Sequence, residues 1–384
     1  MKNPNPNPNI STNTSSAQIV DSIDDILIQI LLRLPLKPIY QFKSVSKHWQ
    51  SLISSPEFRL IRSLAPVSFS GLIFQRFKRS YVVDFNIPRF SPFKELKFSN
   101  EPNREMKILN SCRGLLLCFD SCKSYYICNP TTNKYSKIPN YVDPNGWIVG
   151  MCLAFDPSKS PHYRVLCVIG WGISTLTKVF KIYSSETGSW RKCGDPRVMT
   201  DIDDFSNGVY WNGSIHWISK HKSGESIYFN IDDYDNRIDS SFKVMPTPPI
   251  IRGHGRFFGE SCDHLHYVNL EKTGFSFFGY DAFDVYEMRR DYSEWFVKYK
   301  VDIRSALRRD LFDDVSLYAL VRGKDDEDKG SFLVLKIEKR FVRYNIVSRS
   351  LETIYEFDGV GNCRMYLNNF EEPPLQYIES LYSV

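Results

Sequence analysis

No run of apolar residues in this 384-residue chain is long enough to cross a bilayer. The longest, Ile26 to Leu34, is interrupted by Gln29 and Arg33, whereas a spanning helix needs about 20 apolar residues in a row. Residues 1–20 carry Asn, Pro, Ser and Thr where a secretion signal would have its apolar centre. An excess of one charge is also missing. The 49 Lys plus Arg stand against 44 Asp plus Glu, a net charge of +5 spread along the chain, with no basic helix or stripe to follow a phosphate backbone. No Gly-x-Ser-x-Gly, His-Glu-x-x-His or Walker loop occurs, so those hydrolase, zinc-peptidase and nucleotide-binding chemistries have no residues to run on. These absences predict a soluble protein of the cytoplasm and/or nucleus that catalyses nothing itself and uses no cofactor, metal, nucleic acid or membrane.

What is present is core-forming material. Hydrophobic residues make up 42% and aromatics 15% of the chain, enough for a sizeable core, and the length suits one small module plus one large one. Nine cysteines is an odd number. Cys118, Cys128, Cys152 and Cys167 lie in strand-like apolar runs, where a reduced thiol acts as a small apolar side chain. The sequons at Asn9, Asn13 and Asn212 are expected to be unused without a secretion signal.

Residues 1–19, with the repeat Asn-Pro-Asn-Pro-Asn-Pro-Asn, hold too few apolar groups to offset ordering entropy and are predicted to be a disordered tail. From Asp21 the pattern turns helical, with Ile23, Ile26, Leu27, Ile30, Leu31 and Leu34 at helical spacing up to Pro35. A second helix is predicted from Lys37 to about Phe42, and a third from about Ser44 to Ile53, closed by Ser-Ser-Pro at 54–56. Three short helices bury little surface among themselves, so the exposed part of their apolar face is a binding-site candidate.

Beyond about Ala65 the helical period gives way to short β-rich runs separated by Gly, Asn, Asp and Pro. A loose repeat runs through this half: an aromatic-containing strand, a polar turn, then a second strand. Its copies start near Tyr126, Tyr183, Tyr228, Tyr286 and Tyr344, at separations of 57, 45, 58 and 58 residues. Such periods point to propeller blades with long loops, the blade number being open. A Trp-Asp signature and a Gly-Gly pair are both missing, which argues against an ordinary WD or kelch array. A β-sandwich or open barrel is the alternative fold.

The segment Asp24-Asp-Ile-Leu-Ile-Gln-Ile-Leu-Leu-Arg-Leu-Pro, continuing through Val45-Ser-Lys-His-Trp49 to Leu52-Ile53, closely resembles the F-box. That resemblance implies docking on a Skp-type adaptor and, through it, on cullin and RING subunits. Carried over by position, the candidates for the small core and the adaptor groove are Ile23, Ile26, Leu27, Ile30, Leu31, Leu34, Pro35, Ile39, Phe42, Val45 and Trp49. Sequence alone does not sort them. The usual opening Leu-Pro is replaced by Ser22-Ile23, a change expected to weaken the first anchor by ~1–3 kcal/mol, with Ile23 available to compensate. A helical cap and a helix-turn-helix DNA reader are the bland rivals.

In the β half, Cys112-Arg-Gly-Leu-Leu-Leu-Cys118, Asn129-Pro-Thr-Thr132, Ala154-Phe-Asp-Pro157, Gly188-Ser-Trp190 and Gly208-Val-Tyr-Trp-Asn-Gly213 are similar to the plant F-box-associated domain, a propeller-like capture module, over about residues 108 to 250. The implied organisation is a tail (1–19), an all-α F-box (20–64) and an irregular β-propeller (65–384). The implied function is the substrate-recognition subunit of an SCF-type ubiquitin ligase, non-catalytic, with an unidentified target protein. A propeller that binds a small molecule or glycan, with the helices as a cap, is the alternative.

Loop-borne aromatic and Arg side chains are the usual anchors of such surfaces, which singles out Trp147, Trp171 and Arg252 as target-binding candidates. Cys262, His264 and His266 alternate along one strand face and could hold a metal, but with no fourth ligand marked nearby a packed face is the expectation. Gly253-His-Gly255 with Gly259 has the wrong spacing for a phosphate loop. The acidic clusters at 201–204, 232–235 and 325–328 are read as solvated turns.

Overall fold

The computed structural model describes residues 24–34, 36–64, 69–76, 79–84, 93–96, 106–141, 146–171, 176–202, 204–219, 224–232, 242–249, 255–270, 282–303, 315–323, 328, 330–337, 340–356, 374–382 and 384. They form two compact units that divide between Ala65 and Pro66.

The first unit is helical: α1 (Asp24–Leu32), α2 (Leu36–Phe42), α3 (Lys47–Ser54) and α4 (Pro56–Leu64). The fourth helix goes beyond the three that periodicity gave. Ser-Ser-Pro does stop α3, but it also starts α4: Ser55 accepts the N–H of Phe58 at 3.1 Å as an N-cap, and Pro56 takes the first helical position, where its missing N–H costs nothing. Ser46 caps α3 in the same way, accepting the N–H of Trp49 at 3.1 Å. Arg62 of α4 returns to α1, its guanidinium donating to the carbonyls of Leu32 and Leu34 and so satisfying backbone acceptors that the helix end leaves open.

The second unit is a six-bladed β-propeller, each blade a four-stranded antiparallel sheet. Blade 1 contains β1 (Phe69–Arg76), β2 (Arg79–Asp84) and β3 (Phe93–Glu95). Blade 2 is β4 (Met106–Cys112), β5 (Leu115–Asp120), β6 (Tyr125–Asn129) and β7 (Lys134–Ile138). Blade 3 is β8 (Gly146–Ala154), β9 (Arg164–Trp171), β10 (Thr177–Ser184) and β11 (Ser189–Val198). Blade 4 is β12 (Val209–Trp211), β13 (Ser214–Trp217), β14 (Ser226–Asn230) and β15 (Phe242–Met245). Blade 5 is β16 (Gly255–Ser261), β17 (His264–Leu270), β18 (Ala282–Met288) and β19 (Trp295–Asp302). Blade 6 is β20 (Val315–Val321), β21 (Phe332–Ile337), β22 (Arg340–Asn345) and β23 (Leu351–Glu356). The last strand, β24 (Leu375–Ile378), pairs with β1, Ile73 opposite Leu375, and completes blade 1 from the far end of the chain.

The five tyrosines of the loose repeat all fall on the third strand of a blade: Tyr126 on β6, Tyr183 on β10, Tyr228 on β14, Tyr286 on β18 and Tyr344 on β22. The third strand of blade 1, β2, also carries a tyrosine, Tyr81, 45 residues before Tyr126, which the sequence repeat did not include. Each central strand is packed on both faces, which explains unbroken apolar runs such as Val165 to Ile169. Leu115, Leu117 and Ile127 of blade 2 meet Met151, Leu153 and Val165 of blade 3, and Leu72, Phe74 and Val83 of blade 1 meet Val334 and Phe341 of blade 6. Indole N–H groups tie the blades further: Trp190 donates to the Pro139 carbonyl and Trp295 to the Pro246 carbonyl, each at 2.8 Å. Burial pushes the thiols of Cys112, Cys152 and Cys167 up to about 12, so they act as apolar filler.

Because the strands alternate in direction, connections from first to second and from third to fourth strands leave at one end of the propeller, here called the turn face. Connections from second to third strands, and onward to the next blade, leave at the other, the loop face. On the turn face the hairpins are tight. Arg113-Gly114, Asn212-Gly213 and Cys262-Asp263 each place two residues at positive φ, the geometry of a two-residue turn that matches strand twist.

Between blades 4 and 5, His216 lies fully buried beside the stacked rings of Tyr228 and Tyr292, whose centroids are 4.1 Å apart, its own ring nearly parallel to both. Its Nδ1 lies 3.1 Å from the Val209 carbonyl and its Nε2 2.9 Å from the Tyr292 hydroxyl. A carbonyl only accepts, so Nδ1 carries the proton and Nε2 accepts from Tyr292. Burial lowers the imidazole's pKa from 6.5 to about 3. The unfolded chain therefore takes up this proton as pH falls below 6.5 while the folded chain does not. The stability gained from the neutral ring is complete above pH 6.5 and declines toward pH 3. Between pH 7 and 5 the wild-type chain should lose about 2 kcal/mol more stability than His216→Gln. Urea unfolding of both at the two pH values measures this; equal losses would refute it.

Candidate functional site

Two surfaces carry the residues singled out from sequence. In the helical unit, burial divides them. Leu27, Leu31 and Ile39 are buried and, with Ile53 and Phe58, form the core. Leu34, Phe42 and Trp49 are half-buried, and Phe42 meets Trp49 edge to face with ring centroids 5.4 Å apart. Ile26 and Ile30 are each 43% exposed and Val45 is 59% exposed. Ile26 and Ile30 stand four residues apart on α1 and share one face. This surface, apolar and unused by the unit's own core, is the kind a partner helix or groove covers. Ile23 and Pro35 lie outside the described residues. Periodicity could not perform this division, because Ile26–Leu27 and Ile30–Leu31 are adjacent pairs in which one member faces inward and the other outward.

On the propeller, Trp147 and Trp171 come to the same end of blade 3, the loop face. The register sets Trp147 opposite Gly170 and Trp171 opposite Gly146, so the two indoles project from opposite faces of the sheet. The indole of Trp171 is half-buried against the core between blades 2 and 3. Trp147 is 44% exposed, and its ring lies over Gly170 so closely that a Cβ there would come within 2.9 Å of it. Leu176 and Val198 are exposed at the same end of the blade. Arg252 lies outside the described residues.

The other sequence candidates resolve into structural roles. His264 and His266 do share a face of β17, and both bear on Glu287 of β18: Nδ1 of His264 is 2.9 Å and Nε2 of His266 is 3.4 Å from its carboxylate. Arg322 reaches the same carboxylate at 2.8 Å. Burial pushes the Glu287 carboxyl up, and the close approach of the two imidazoles, His264 nearest, reverses this and holds it well below the usual carboxylate range. Burial lowers the pKa of His266. Cys262 turns away, its thiol donating to the Arg322 carbonyl at 3.2 Å. No group of three or more His, Cys, Asp or Glu residues disposed around a metal position occurs among the described residues. Asp204 caps its own turn, accepting from Ser206 and Asn207, and Asp232 is paired with Lys159 and Arg164. Asp203, Asp233, Asp235 and residues 325–327 lie outside the described residues, as does Gly253; Gly259 is inside strand β16.

Comparison with known proteins agrees with this architecture. Residues 24–61 match the F-box domain and residues 72–272 the F-box associated beta propeller domain. F-box protein At5g07610 of Arabidopsis thaliana is 32% identical, the alignment covering 97% of this chain and 94% of that one. F-box protein At5g49610 of the same plant is 29% identical over 51% of this chain and 57% of its own length. Among solved structures, YCF48 bound to D1 peptide aligns over 75% of this chain and 83% of that chain, at 8% identity and a TM-score of 0.39. The chain is a two-module protein, a helical unit followed by a six-bladed propeller. The chain belongs to the plant F-box proteins that carry an F-box associated β-propeller. The family model ends at residue 272, and the ring continues past it through blade 6 to β24.

Proposed function

We propose that this chain is the substrate-recognition subunit of an SCF-type ubiquitin ligase, gripping a Skp-type adaptor through its helical unit and a target protein through the propeller's loop face. The observation that carries the reading is the division within α1: Leu27 and Leu31 fill the core while Ile26 and Ile30 stay exposed, on a segment that matches the F-box. The mechanism is proximity. The chain contributes no bond-making groups. It raises the effective concentration of target lysines around a ubiquitin-carrying enzyme held by the cullin and RING subunits. Its place of action is the cytoplasm and/or nucleus, which imaging of a fluorescently tagged full chain checks.

The test is reconstitution with purified Skp adaptor, cullin and RING subunits. The full chain should join the complex and direct ubiquitin onto a protein it captures; failure to bind the adaptor would overturn the reading. On the target side, Trp147→Ala should reduce target ubiquitination at least tenfold, at the level of a lost aromatic anchor of about 2 kcal/mol, with the melting temperature held. Trp171→Ala, which opens a half-buried site, should instead cost about 1–3 kcal/mol of stability. Undiminished target ubiquitination with Trp147→Ala would move the site to other loops.

A further inference from the structure

The propeller axis holds a cavity of about 600 Å³, within the range of small-molecule sites. Strands β4, β12, β16, β20 and β24 contribute to its wall. At blade 3 the connection through Phe205 takes the place of β8, lying so close to Gly150 that a Cβ there would come within 2.4 Å of the Phe205 backbone.

At the turn-face end the cavity is crossed by ties between blades that are not neighbours. Arg113 of blade 2 reaches Glu260 and Asp263 of blade 5, its Nη2 3.7 Å from one carboxylate and 3.8 Å from the other. Gln376 of β24 donates to the Glu260 backbone carbonyl at 3.2 Å. A polypeptide threading the axis would have to break these ties. A small molecule entering from the other end would rest on them.

Three polar groups at this floor have hydrogen-bonding capacity to spare. The separations from Arg113 to Glu260 and Asp263 are ionic contacts, too long for hydrogen bonds, and no N–H of the guanidinium has an acceptor among the described residues. Glu260 Oε1 accepts the Asp263 N–H at 2.7 Å, leaving Oε2 without a donor among the described residues. The hydroxyl of Tyr210, half-buried on β12 and in electrostatic contact with Asp232, Asp156 and Arg113, likewise has no hydrogen bond among the described residues. A planar donor fork, a carboxylate acceptor and a hydroxyl therefore line one end of a cavity whose wall includes Phe257, Phe258 and Tyr318.

We propose that this axial cavity is a binding site for a small, neutral organic molecule: a planar apolar body against the aromatic wall and a head, such as a carboxamide, offering both a donor and an acceptor. The charge balance selects the head. The other carboxylates nearby have their own cations, Asp263 with Arg290, Asp232 with Lys159 and Arg164, and Asp156 with Lys159, which leaves Arg113 and Glu260: an incoming carboxylate could use Arg113 but would face Glu260, and an incoming cation could use Glu260 but would face Arg113. A carboxamide satisfies both without adding a buried charge. An aromatic lining favours a ring for the body.

Three probes of the same shape test this on the full chain: the carboxamide, carboxylate and amidinium of naphthalene, titrated by ligand-detected NMR. The carboxamide should bind saturably at one site, with the carboxylate and the amidinium each about tenfold weaker or more. Tyr210→Phe, which removes only the hydroxyl, and Arg113→Lys, which keeps the charge but loses the planar fork, should each weaken the carboxamide about fivefold. Melting temperature is followed in parallel, and if Arg113→Lys unfolds the propeller, Tyr210→Phe decides alone. No saturable binding of the carboxamide, tighter binding of either charged probe, or an affinity unmoved by the substitutions overturns the proposal. Adaptor binding is independent of every arm.

Discussion

Glutamate at both Ile26 and Ile30 should abolish adaptor binding while leaving the chain folded. Both side chains are exposed in the free protein, so their replacement removes little from the helical core. Each would leave water on docking, contributing about 1.5–3 kcal/mol, and a glutamate in that position would have to be buried unpaired. The combined loss should exceed 100-fold in Kd, about 3 kcal/mol, by calorimetry against purified Skp adaptor, with helicity by circular dichroism unchanged. Leu31→Ala is the contrasting control. Leu31 has no exposure, and its truncation should cost about 2–5 kcal/mol by cavity formation, so it weakens binding only by unfolding the unit. Wild-type affinity for the double glutamate variant would remove this face from the adaptor interface.

Deleting residues 374–384 should have the other large effect, loss of the cooperative fold of the propeller. Strand β24 supplies the innermost strand of blade 1, and Tyr377 and Leu381 are buried. Beyond it, the side-chain amide of Asn129 in blade 2 donates to the Ser380 carbonyl, the Ser380 hydroxyl and the Tyr382 carbonyl at 3.1, 3.0 and 2.7 Å. Two buried side chains at about 1.5–3 kcal/mol each and hydrogen bonds at about 1 kcal/mol each come to roughly the whole net stability of an ordinary domain. The truncated chain should show no sharp thermal transition in the near-ultraviolet circular dichroism and should be degraded rapidly by protease. A transition within about 3 °C of wild type would show that blade 1 closes without this strand.

Much of this architecture was legible because the forces behind it are local. The helical spacing of Ile26 through Leu31, the start of α4 at Pro56 behind the Ser55 cap, and the recurring tyrosines on third strands all follow from short-range geometry. What was illegible depends on partners distant in sequence. Ile26 and Leu27 are both apolar, and only the packed unit shows that one faces inward and the other outward. The innermost strand of blade 1 could not be assigned from sequence, since it comes about 300 residues after the others. Trp147 and Trp171 looked equivalent on loop-like flanks, yet a one-residue offset in register turns them to opposite faces. Arg113 attracted no attention beyond its place in a turn motif; the Cys-Arg-Gly hairpin gave no sign that its side chain would reach across the axis to Glu260.

The pairing of Ile73 with Leu375 also sets an order of events during synthesis. The helical unit is built from contacts within about forty residues and is complete on the ribosome as soon as Leu64 has emerged. The ring, by contrast, must hold five blades and an incomplete first one, with the edge of β1 unpaired, until β24 has been made. Long-range closure of this kind is slow, and an unpaired strand edge invites pairing with other chains. Nascent molecules should therefore acquire the capacity to engage the adaptor well before they acquire a finished capture surface. On the proposed function, a molecule caught in that interval would occupy the ligase without presenting a target.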